Sequence, residues 1–221
     1  MSGFLSNCMN YLKKPYHFAL LDKQLNKPGV KVLDIGCGNG SPTRTKRYFP
    51  TLQYYGVDRT PAYNNTEEDL KHCVQFWQID LEKELEKTKQ IPDGQFDVII
   101  VNHVVEHLHN GDLMIGSLCS KLAPGGTLYI EAPSEKSLKL PSMAGTLNFY
   151  DDPTHVKVWS LSELDGVLKR NGVTVFNMGI RRSLKRIMFF PFYLLIGLKR
   201  KQPAGAFWDI LGFAHFIVAK K

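Results

Sequence analysis

Residues 30–40 constrain the fold most strongly, because a short apolar segment ends there and passes at once into a loop with three glycines. The apolar residues suit a strand buried on both faces of a parallel sheet: Val32, Leu33 and Ile35. The glycines carry no Cβ, so a ligand can lie against bare backbone and the chain can adopt positive φ: Gly36, Gly38 and Gly40. Strand, glycine turn and helix are the plan of a nucleotide-type cofactor site.

The spacing of this loop separates the possible cofactors. A dinucleotide fingerprint, G-x-G-x-x-G, requires a third glycine at position 41, which is Ser41. A phosphate loop ends in Gly-Lys-Ser/Thr, and no lysine follows Gly40. Asp34 adds a negative charge beside the loop, which favours a cofactor with a cationic amino group over one with phosphates. The helix that follows is expected to have Ser41 as its N-cap and Pro42 as its first residue.

Three further strands are predicted to end in polar residues. Residues 52–58 end at Asp58, residues 74–81 contain Asp80, and residues 96–102 end at Asn102. The phrase His-Val-Val-Glu-His-Leu follows at 103–108, and a turn into a fifth strand spans 122–131. This ordered set resembles the class I S-adenosylmethionine-dependent methyltransferases, over most of the chain.

The resemblance implies an α/β fold: a doubly wound, mostly parallel, Rossmann-like sheet of seven strands, with an antiparallel C-terminal strand and a helical insertion before it. It implies that Asp58 accepts hydrogen bonds from the ribose and that Asp80 accepts one from the adenine amino group. Cys37 is interpreted as a small loop residue rather than a nucleophile. The expected contacts to S-adenosylmethionine are Asp34, Gly36, Cys37, Gly38, Gly40, Asp58, Arg59, Asp80, Leu81 and Asn102.

Composition favours one globular unit. With 221 residues, 43% of them hydrophobic, the chain can bury a full core, and we predict a single methyltransferase domain over 1–221. Within it we expect a helical lead-in (1–29, including Tyr11), a cofactor core (30–132), a substrate loop or lid (133–159) and an apolar-basic insertion (184–211). Four cysteines without C-x-x-C spacing and an N-terminus without a signal-like apolar run predict a cytoplasmic protein.

Charge is concentrated at the end of the sequence. Residues 181–221 contain nine Lys/Arg and one acid, Asp209, whereas residues 1–180 have a net charge of −1. An uncharged run at 187–198 lies between basic pairs and is too short to span a bilayer as a helix, which takes about 20 residues. Two interpretations stay open for residues 181–201: a surface that meets anionic lipid on the inner face of a membrane, or a helical hairpin packed over the sheet.

Acceptor chemistry is expected from the loops after strands four and five, because ligands in open α/β sheets bind beyond the carboxyl ends of the strands. The candidate bases are histidines, which suit proton removal near neutral pH: His155, His103 and His107. His155 lies in a D-P-T-H-V phrase, which resembles methyltransferases that act on sugars, lipids or polyketide-like acceptors. These histidines and Glu106 also resemble the Glu-x-x-Glu-His metal cluster of some quinone and RNA methyltransferases. Because His103 replaces the first acid, which disfavours Mg²⁺, we predict no resident metal.

The sequence thus predicts a methyltransferase acting on a small-molecule, glycan or lipid-linked acceptor. An RNA methyltransferase is one alternative, suggested by the basic end of the chain. Nucleic acid is a less favoured partner, because the cations are mixed with bulky apolar residues rather than lining a polar groove. A non-catalytic membrane-surface protein that retains the cofactor fold is the other alternative.

Overall fold

A single seven-stranded sheet organises the molecule. The computed structural model describes residues 14–61 and 63–221. The sheet has the order β3-β2-β1-β4-β5-β7-β6, and β7 alone runs antiparallel to its neighbours. The strands are β1 (Lys31–Ile35), β2 (Gln53–Asp58), β3 (Cys73–Gln78), β4 (Phe96–Asn102), β5 (Leu122–Pro133), β6 (Thr174–Ile180) and β7 (Ala214–Lys220). This topology confirms the predicted fold class, including the antiparallel strand next to the end of the sheet.

Helices cover both faces of the sheet. The α-helices are α1 (Tyr16–Leu20), α2 (Asp22–Leu25), α3 (Ser41–Tyr48), α4 (Glu67–Leu70), α5 (Gly111–Lys121), α6 (Leu161–Arg170), α7 (Leu184–Met188), α8 (Phe190–Lys199) and α9 (Ala204–Leu211). Short 3₁₀ turns span Leu85–Gln90, Val105–His107, Glu135–Lys139 and Phe149–Asp151. The last three helices lie between β6 and β7, at the position expected for the helical insertion.

Side chains along the strands alternate between the two faces of the sheet and form one hydrophobic core on each face. On one face of β1, Leu33 and Ile35 pack in a cluster that includes Ile115 of α5 and Leu164 of α6. On the other face, Val32 packs in a second cluster with residues of α1 and α2. Strands buried on both faces therefore explain the nearly continuous apolar runs of the sequence.

The helix after the glycine loop begins differently from expectation. Its N-cap residue is Gly40, with φ of +65°, and Ser41 is the first helical residue. The prediction that Ser41 caps this helix was therefore wrong. Its hydroxyl instead donates a 2.6 Å hydrogen bond to Oδ2 of Asp34, and a left-handed N-cap suits glycine because it has no Cβ.

Other local predictions can be compared directly with the structure. Ser160 caps α6 through a capping box with Glu163, and Gly172, with φ of +73°, follows the C-cap residue of that helix. The third strand ends at Gln78 rather than at position 81, because the Asp80 carboxylate accepts hydrogen bonds from the amides of Glu82 and Lys83 and forms a turn. Of the expected lead-in, Tyr11 lies outside the described residues.

Candidate active site

The glycine loop follows β1 at the carboxyl edge of the sheet, where other chain segments approach it closely. A Cβ on Gly36 would lie 2.5 Å from Cγ2 of Val104, and the φ of Gly36 is +72°. A Cβ on Gly38 would lie 2.5 Å from Cδ1 and 2.8 Å from the carbonyl oxygen of Tyr63. Side chains at either position would therefore force the loop away from its neighbours.

A segment that the sequence analysis overlooked supports this loop. The amide of Asn39 donates to the carbonyl of Tyr63 (2.9 Å), and the amide of Gly40 donates to Oδ1 of Asn65 (2.8 Å). The Asn65 amide group also donates to the carbonyl of Cys37 (3.2 Å). The adjacent asparagines between β2 and α4 were the available signal, because one amide side chain can both donate and accept.

Asp34 lies inside the protein rather than on the surface of the loop. Its Oδ2 accepts hydrogen bonds from Ser41 (2.6 Å) and from the hydroxyl of Tyr54 (2.5 Å). Burial raises the pKa of this carboxyl, although both hydrogen bonds act in the opposite direction. Its contacts in the structure thus hold α3 and β2 against the loop, and contact with a cofactor amino group stays a prediction.

The acids after β2 and β3 are neighbours, as expected for adjacent parallel strands. Asp58 pairs with Gln78, and the amide of Ile79 donates to the carbonyl of Asp58 (2.9 Å). Burial raises the pKa of Asp58 despite hydrogen bonds from backbone amides, including that of Thr60. Asp80, two residues beyond Gln78, therefore lies at the same edge of the sheet as Asp58.

The remaining candidate cofactor residues surround these acids and the glycine loop. The guanidinium of Arg59 lies 5.5 Å from the centre of the Tyr63 ring, and Leu81 is buried. Cys37 is fully buried, and burial raises the pKa of its thiol, which opposes a nucleophilic role. Oδ1 of Asn102 is buried without a hydrogen-bond partner among the described residues.

The motif after β4 holds His103 between two glutamates. His103 has a φ of +55°, which is uncommon outside glycine, and its ring nitrogens lie 3.0 Å from Glu106 and 3.2 Å from Glu131. Burial alone would lower the pKa of His103, but hydrogen bonds to both carboxylates and their charges outweigh it and raise the pKa to about 9. A histidine protonated at neutral pH cannot accept a proton, so this geometry favours a positioning role for His103.

His107, His155 and Glu106 form a second group, which we name the acceptor trio. One potential ligand atom of each lies within 4.8 Å of the others. Nδ1 of His155 lies 2.7 Å from the carbonyl oxygen of Phe149, and Nδ1 of His107 lies 3.2 Å from that of Thr154. A carbonyl only accepts, so each Nδ1 carries a proton, and in the neutral ring Nε2 is the nitrogen with the lone pair. Nε2 of His155 also lies 3.9 Å from Oδ2 of Asp152.

The acceptor trio could accept a proton or hold a cation. Oε2 of Glu106 is buried and has no hydrogen-bond partner among the described residues. One carboxylate and two imidazoles suit zinc or manganese better than magnesium. That the site has no resident metal stays a prediction, and the acceptor trio is where a metal would bind.

Backbone contacts place the acceptor trio beside the glycine loop. The carbonyl of Glu106 accepts from the amides of Val156 (2.8 Å) and Lys157 (3.2 Å), which fixes the D-P-T-H-V segment against the motif after β4. Val104 of the same motif contacts Gly36, as described above. Within the expected substrate loop, a cavity of about 350 Å³ is lined by residues 142–146 and Asp151.

A buried ionic chain extends from His103 into the helical insertion. Arg181 lies 3.0 Å from Glu131 and 3.0 Å from Asp209, and all three are buried. Glu131 also accepts a hydrogen bond from the hydroxyl of Tyr129. Arg181 belongs to the basic segment 181–201, for which a lipid-facing surface was one of two interpretations, but its charge is paired inside the protein and is not available to lipid.

The described geometry is that of a cofactor loop next to a group of acid–base side chains. A family model described as a methyltransferase domain matches residues 6–177, which is most of the chain. The chain belongs to the methyltransferase-domain family. It therefore contains a methyltransferase domain of the predicted S-adenosylmethionine-dependent class.

Individual relatives are distant from this methyltransferase. The human mitochondrial ubiquinone biosynthesis O-methyltransferase is 26% identical over 170 residues, covering 69% of this chain and 44% of that protein. A probable chloroplastic tocopherol O-methyltransferase of rice is 28% identical over 155 residues, covering 64% and 41%. The chain thus spans less than half the length of these relatives. The crystal structure of an S-adenosylmethionine-dependent methyltransferase from Archaeoglobus fulgidus matches with a TM-score of 0.56 and 22% identity, covering 99% and 100% of the two chains.

The residues of this methyltransferase fit its cofactor. Gly36 and Gly38 keep the loop surface free of Cβ atoms. Asp58 and Asp80 present carboxylates at the ends of β2 and β3, and Asn102 contributes a buried oxygen without a partner. Hydrogen-bond acceptors at a strand edge suit ribose hydroxyls and an adenine amino group.

Proposed function

We propose that this enzyme methylates a hydroxyl oxygen of a lipid-soluble acceptor, with His155 as the general base. One observation carries the proposal. The hydrogen bond from Nδ1 of His155 to the Phe149 carbonyl makes Nε2 the nitrogen that bears the lone pair of the neutral ring, in the acceptor trio beside the glycine loop. A general base must present a lone pair within reach of the proton that it removes.

The chain's residues have three tasks in this reaction. S-adenosylmethionine supplies the methyl group together with a neutral leaving group. The Phe149 carbonyl fixes the tautomer of His155, so that Nε2 can take the acceptor proton as the oxygen becomes nucleophilic. The carboxylates of Glu106, whose ligand atom lies within 4.8 Å of that of His155, and of Asp152, whose Oδ2 lies 3.9 Å from Nε2, favour the imidazolium that results, because a carboxylate stabilises a nearby cation. Holding the acceptor oxygen in line removes much of the entropic barrier.

The acceptor class is proposed from two kinds of support. The names of two relatives include ubiquinone and tocopherol, which are lipid-soluble molecules. The substrate loop is held against α9 by an aromatic residue: the indole of Trp208 donates to the Thr146 carbonyl (2.7 Å), and its ring lies 5.2 Å from that of His103. These relatives do not support the RNA alternative.

Single substitutions test the role of His155. Purified enzyme is supplied with labelled S-adenosylmethionine and a set of prenylated catechols and chromanols, and the best acceptor is used for kinetics. His155→Ala should lower kcat by about 10²–10⁴ and leave the affinity for S-adenosylhomocysteine nearly unchanged. His109→Ala is the matched control, because His109 is exposed and bonds only to Glu82 among the described residues. Near-normal turnover by His155→Ala would assign His155 a structural role.

A divalent cation is the second candidate for the acceptor trio. The specific observation in its favour is the buried, unpartnered Oε2 of Glu106, together with two imidazoles whose Nδ1 atoms are held by carbonyls. Imidazole ligands of metals are commonly oriented in this way. Chelator-treated enzyme should then lose turnover and recover it with Mn²⁺ or Zn²⁺, and Glu106→Gln should abolish Mn²⁺ binding seen by paramagnetic resonance. Full turnover after chelation would leave the metal-free base as the mechanism.

A further inference from the structure

The helical insertion exposes a continuous apolar surface. Six of the fourteen exposed large hydrophobic side chains in the described residues lie within residues 184–198. They recur mostly every three or four positions, and the exposed fraction reaches 79% for Leu184 and 67% for Leu195. We name them the apolar face: Leu184, Met188, Phe189, Phe192, Leu195 and Leu198. Patches of this kind mark interaction sites.

Cations border the apolar face, and acids are absent from this stretch of sequence. Residues 181–201 contain seven Lys/Arg and no Asp or Glu. Arg181 is buried and paired, but Lys199, Arg200 and Lys201 are exposed at the end of α8, and Arg182 is exposed before α7. An apolar face flanked by basic residues complements a surface with anionic groups above a hydrocarbon layer.

The opposite side of these helices is anchored to the protein. The ring of Phe190 lies 5.1 Å from that of Phe207 in α9, and the guanidinium of Arg186 lies 4.9 Å from the ring of Tyr193. A Cβ on Gly197 would lie 2.8 Å from Cα of Pro203, so α8 and the turn into α9 are closely packed. The three helices therefore pack on one another, and Arg181, between Glu131 of β5 and Asp209 of α9, links them to the sheet.

The helical insertion begins at the acceptor edge of the sheet. β6 is antiparallel to β7, which is antiparallel to β5, so β6 ends at the same edge as β5 and β4. α7 begins four residues after β6, and α9 contacts the substrate loop through the hydrogen bond from Ala204 to the Ala144 carbonyl (3.2 Å). The insertion that carries the apolar face thus begins at the edge of the sheet where the acceptor trio lies, and it contacts the substrate loop.

We propose that α7 and α8 dock this enzyme on an anionic lipid bilayer, with the apolar face in the headgroup region and the cations at its phosphates. No helix in the described residues is long and apolar enough to cross a membrane, so the contact is interfacial. Docking through the insertion brings the edge of the sheet at which it begins near the lipid. The proposal does not depend on which acceptor is methylated.

Vesicle sedimentation tests this surface. The full chain should pellet at low salt with phosphatidylcholine vesicles that contain about one third phosphatidylglycerol, an anionic lipid. It should remain in solution with vesicles of pure phosphatidylcholine. Lys199→Glu/Arg200→Glu/Lys201→Glu should lower the partition coefficient about 100-fold, because each cation near an anionic surface contributes several-fold in binding. Phe192→Ser/Leu195→Ser should also lower binding, and unchanged binding of S-adenosylhomocysteine reports that each variant is folded.

A charge-matched triple variant is the control. Lys23, Lys27 and Lys220 line a cavity of about 710 Å³ at the opposite edge of the sheet, and converting all three to glutamate gives the same change in net charge. This variant should bind anionic vesicles nearly as well as wild type. The proposal is overturned if wild type and the Lys199→Glu/Arg200→Glu/Lys201→Glu variant bind anionic vesicles equally. It is also overturned if only the charge-matched control variant loses vesicle binding. Sedimentation equilibrium showing that the apolar face joins two copies of the chain while vesicles bind neither form overturns it as well.

Discussion

Nε2 of His103 lies 3.2 Å from Oε1 of Glu131, so the motif that follows β4 is bound directly to the end of β5. Burial opposes ionisation of Glu131, but the Arg181 guanidinium and His103 outweigh it and hold the pKa of this carboxyl well below its usual range. Arg181 in turn pairs with Asp209 of α9. One ionic chain therefore connects the acceptor motif with the helical insertion.

Removing Arg181 should destabilise the protein strongly. Arg181→Met leaves Glu131 and Asp209 buried without their shared cation, and breaking a buried pair in this way costs about 3–5 kcal/mol. Lys169→Met is the control, because its bridge to Asp165 is exposed and contributes less than about 1 kcal/mol. Denaturant unfolding monitored by circular dichroism measures both, and similar losses in the two variants would contradict this account.

An added methyl group should discriminate between two glycines. Gly38→Ala places a Cβ 2.8 Å from the Tyr63 carbonyl, so we expect the glycine loop to shift and the affinity for S-adenosylhomocysteine to fall, at a cost of about 1–3 kcal/mol. Gly205→Ala has no atom within 4 Å of the new Cβ and lies in α9, where alanine should stabilise by about 0.5–1 kcal/mol. Calorimetric titration and thermal unfolding check the pair. Unchanged cofactor affinity in Gly38→Ala would show that the glycine loop accommodates the added methyl group without a loss of binding free energy.

Cofactor binding should depend on Asp58. Asp58→Ala removes a carboxylate at the end of β2 and should weaken binding by about 1.5–3 kcal/mol, the range for hydrogen bonds to a charged group. Asp97→Ala is the control, since Asp97 accepts a hydrogen bond from the Lys31 amide at the start of β1, away from the carboxyl edge. Calorimetry should also show that S-adenosylhomocysteine binds more tightly than NAD. The reverse order would refute the assignment of these strand-end acids.

Acid should destabilise the protein through His215. This imidazole is buried in β7 with Nε2 unpartnered among the described residues, and burial lowers its pKa to about 4, against opposing charges of Glu106 and Glu131. The unfolded chain takes up its proton near pH 6.5, so stability should fall as the pH drops from about 6.5 to about 4 and then level off for this group, by up to about 3 kcal/mol. His215→Phe should flatten that part of the pH profile in urea unfolding. An unchanged slope would mean that other groups cause the acid sensitivity.

Local sequence patterns predicted the strands and the glycine loop that border the candidate cofactor site. Residues 96–102 form β4 with the expected bounds, and the glycine loop follows β1 as predicted. Both depend on short-range rules: apolar runs for buried strands and missing Cβ atoms for tight loops. Ser41 departed from expectation because a long-range partner, Asp34, competes for its hydroxyl.

Contacts between distant residues could not be predicted in this way. His155 meets His107 although 47 residues lie between them, because the substrate loop returns across the sheet edge, and a loop path has no periodicity. Counting charges placed Arg181 with the exposed cations, although its partners Glu131 and Asp209 lie 50 and 28 residues away. Burial and pairing are properties of the folded chain, and net charge does not report them.

The position of β7 in the sheet determines the order in which the strands can pair during synthesis. β7 lies between β5 and β6, yet it follows both along the chain, so during synthesis β6 has no hydrogen-bonded neighbour until β7 has been made. The strands that carry the cofactor loop pair earlier, and pairings with large sequence separation form slowly. The side of the sheet formed by β5, β7 and β6 thus pairs after the strands around the glycine loop, and until β7 is made the unpaired edges of β5 and β6 are open to aggregation.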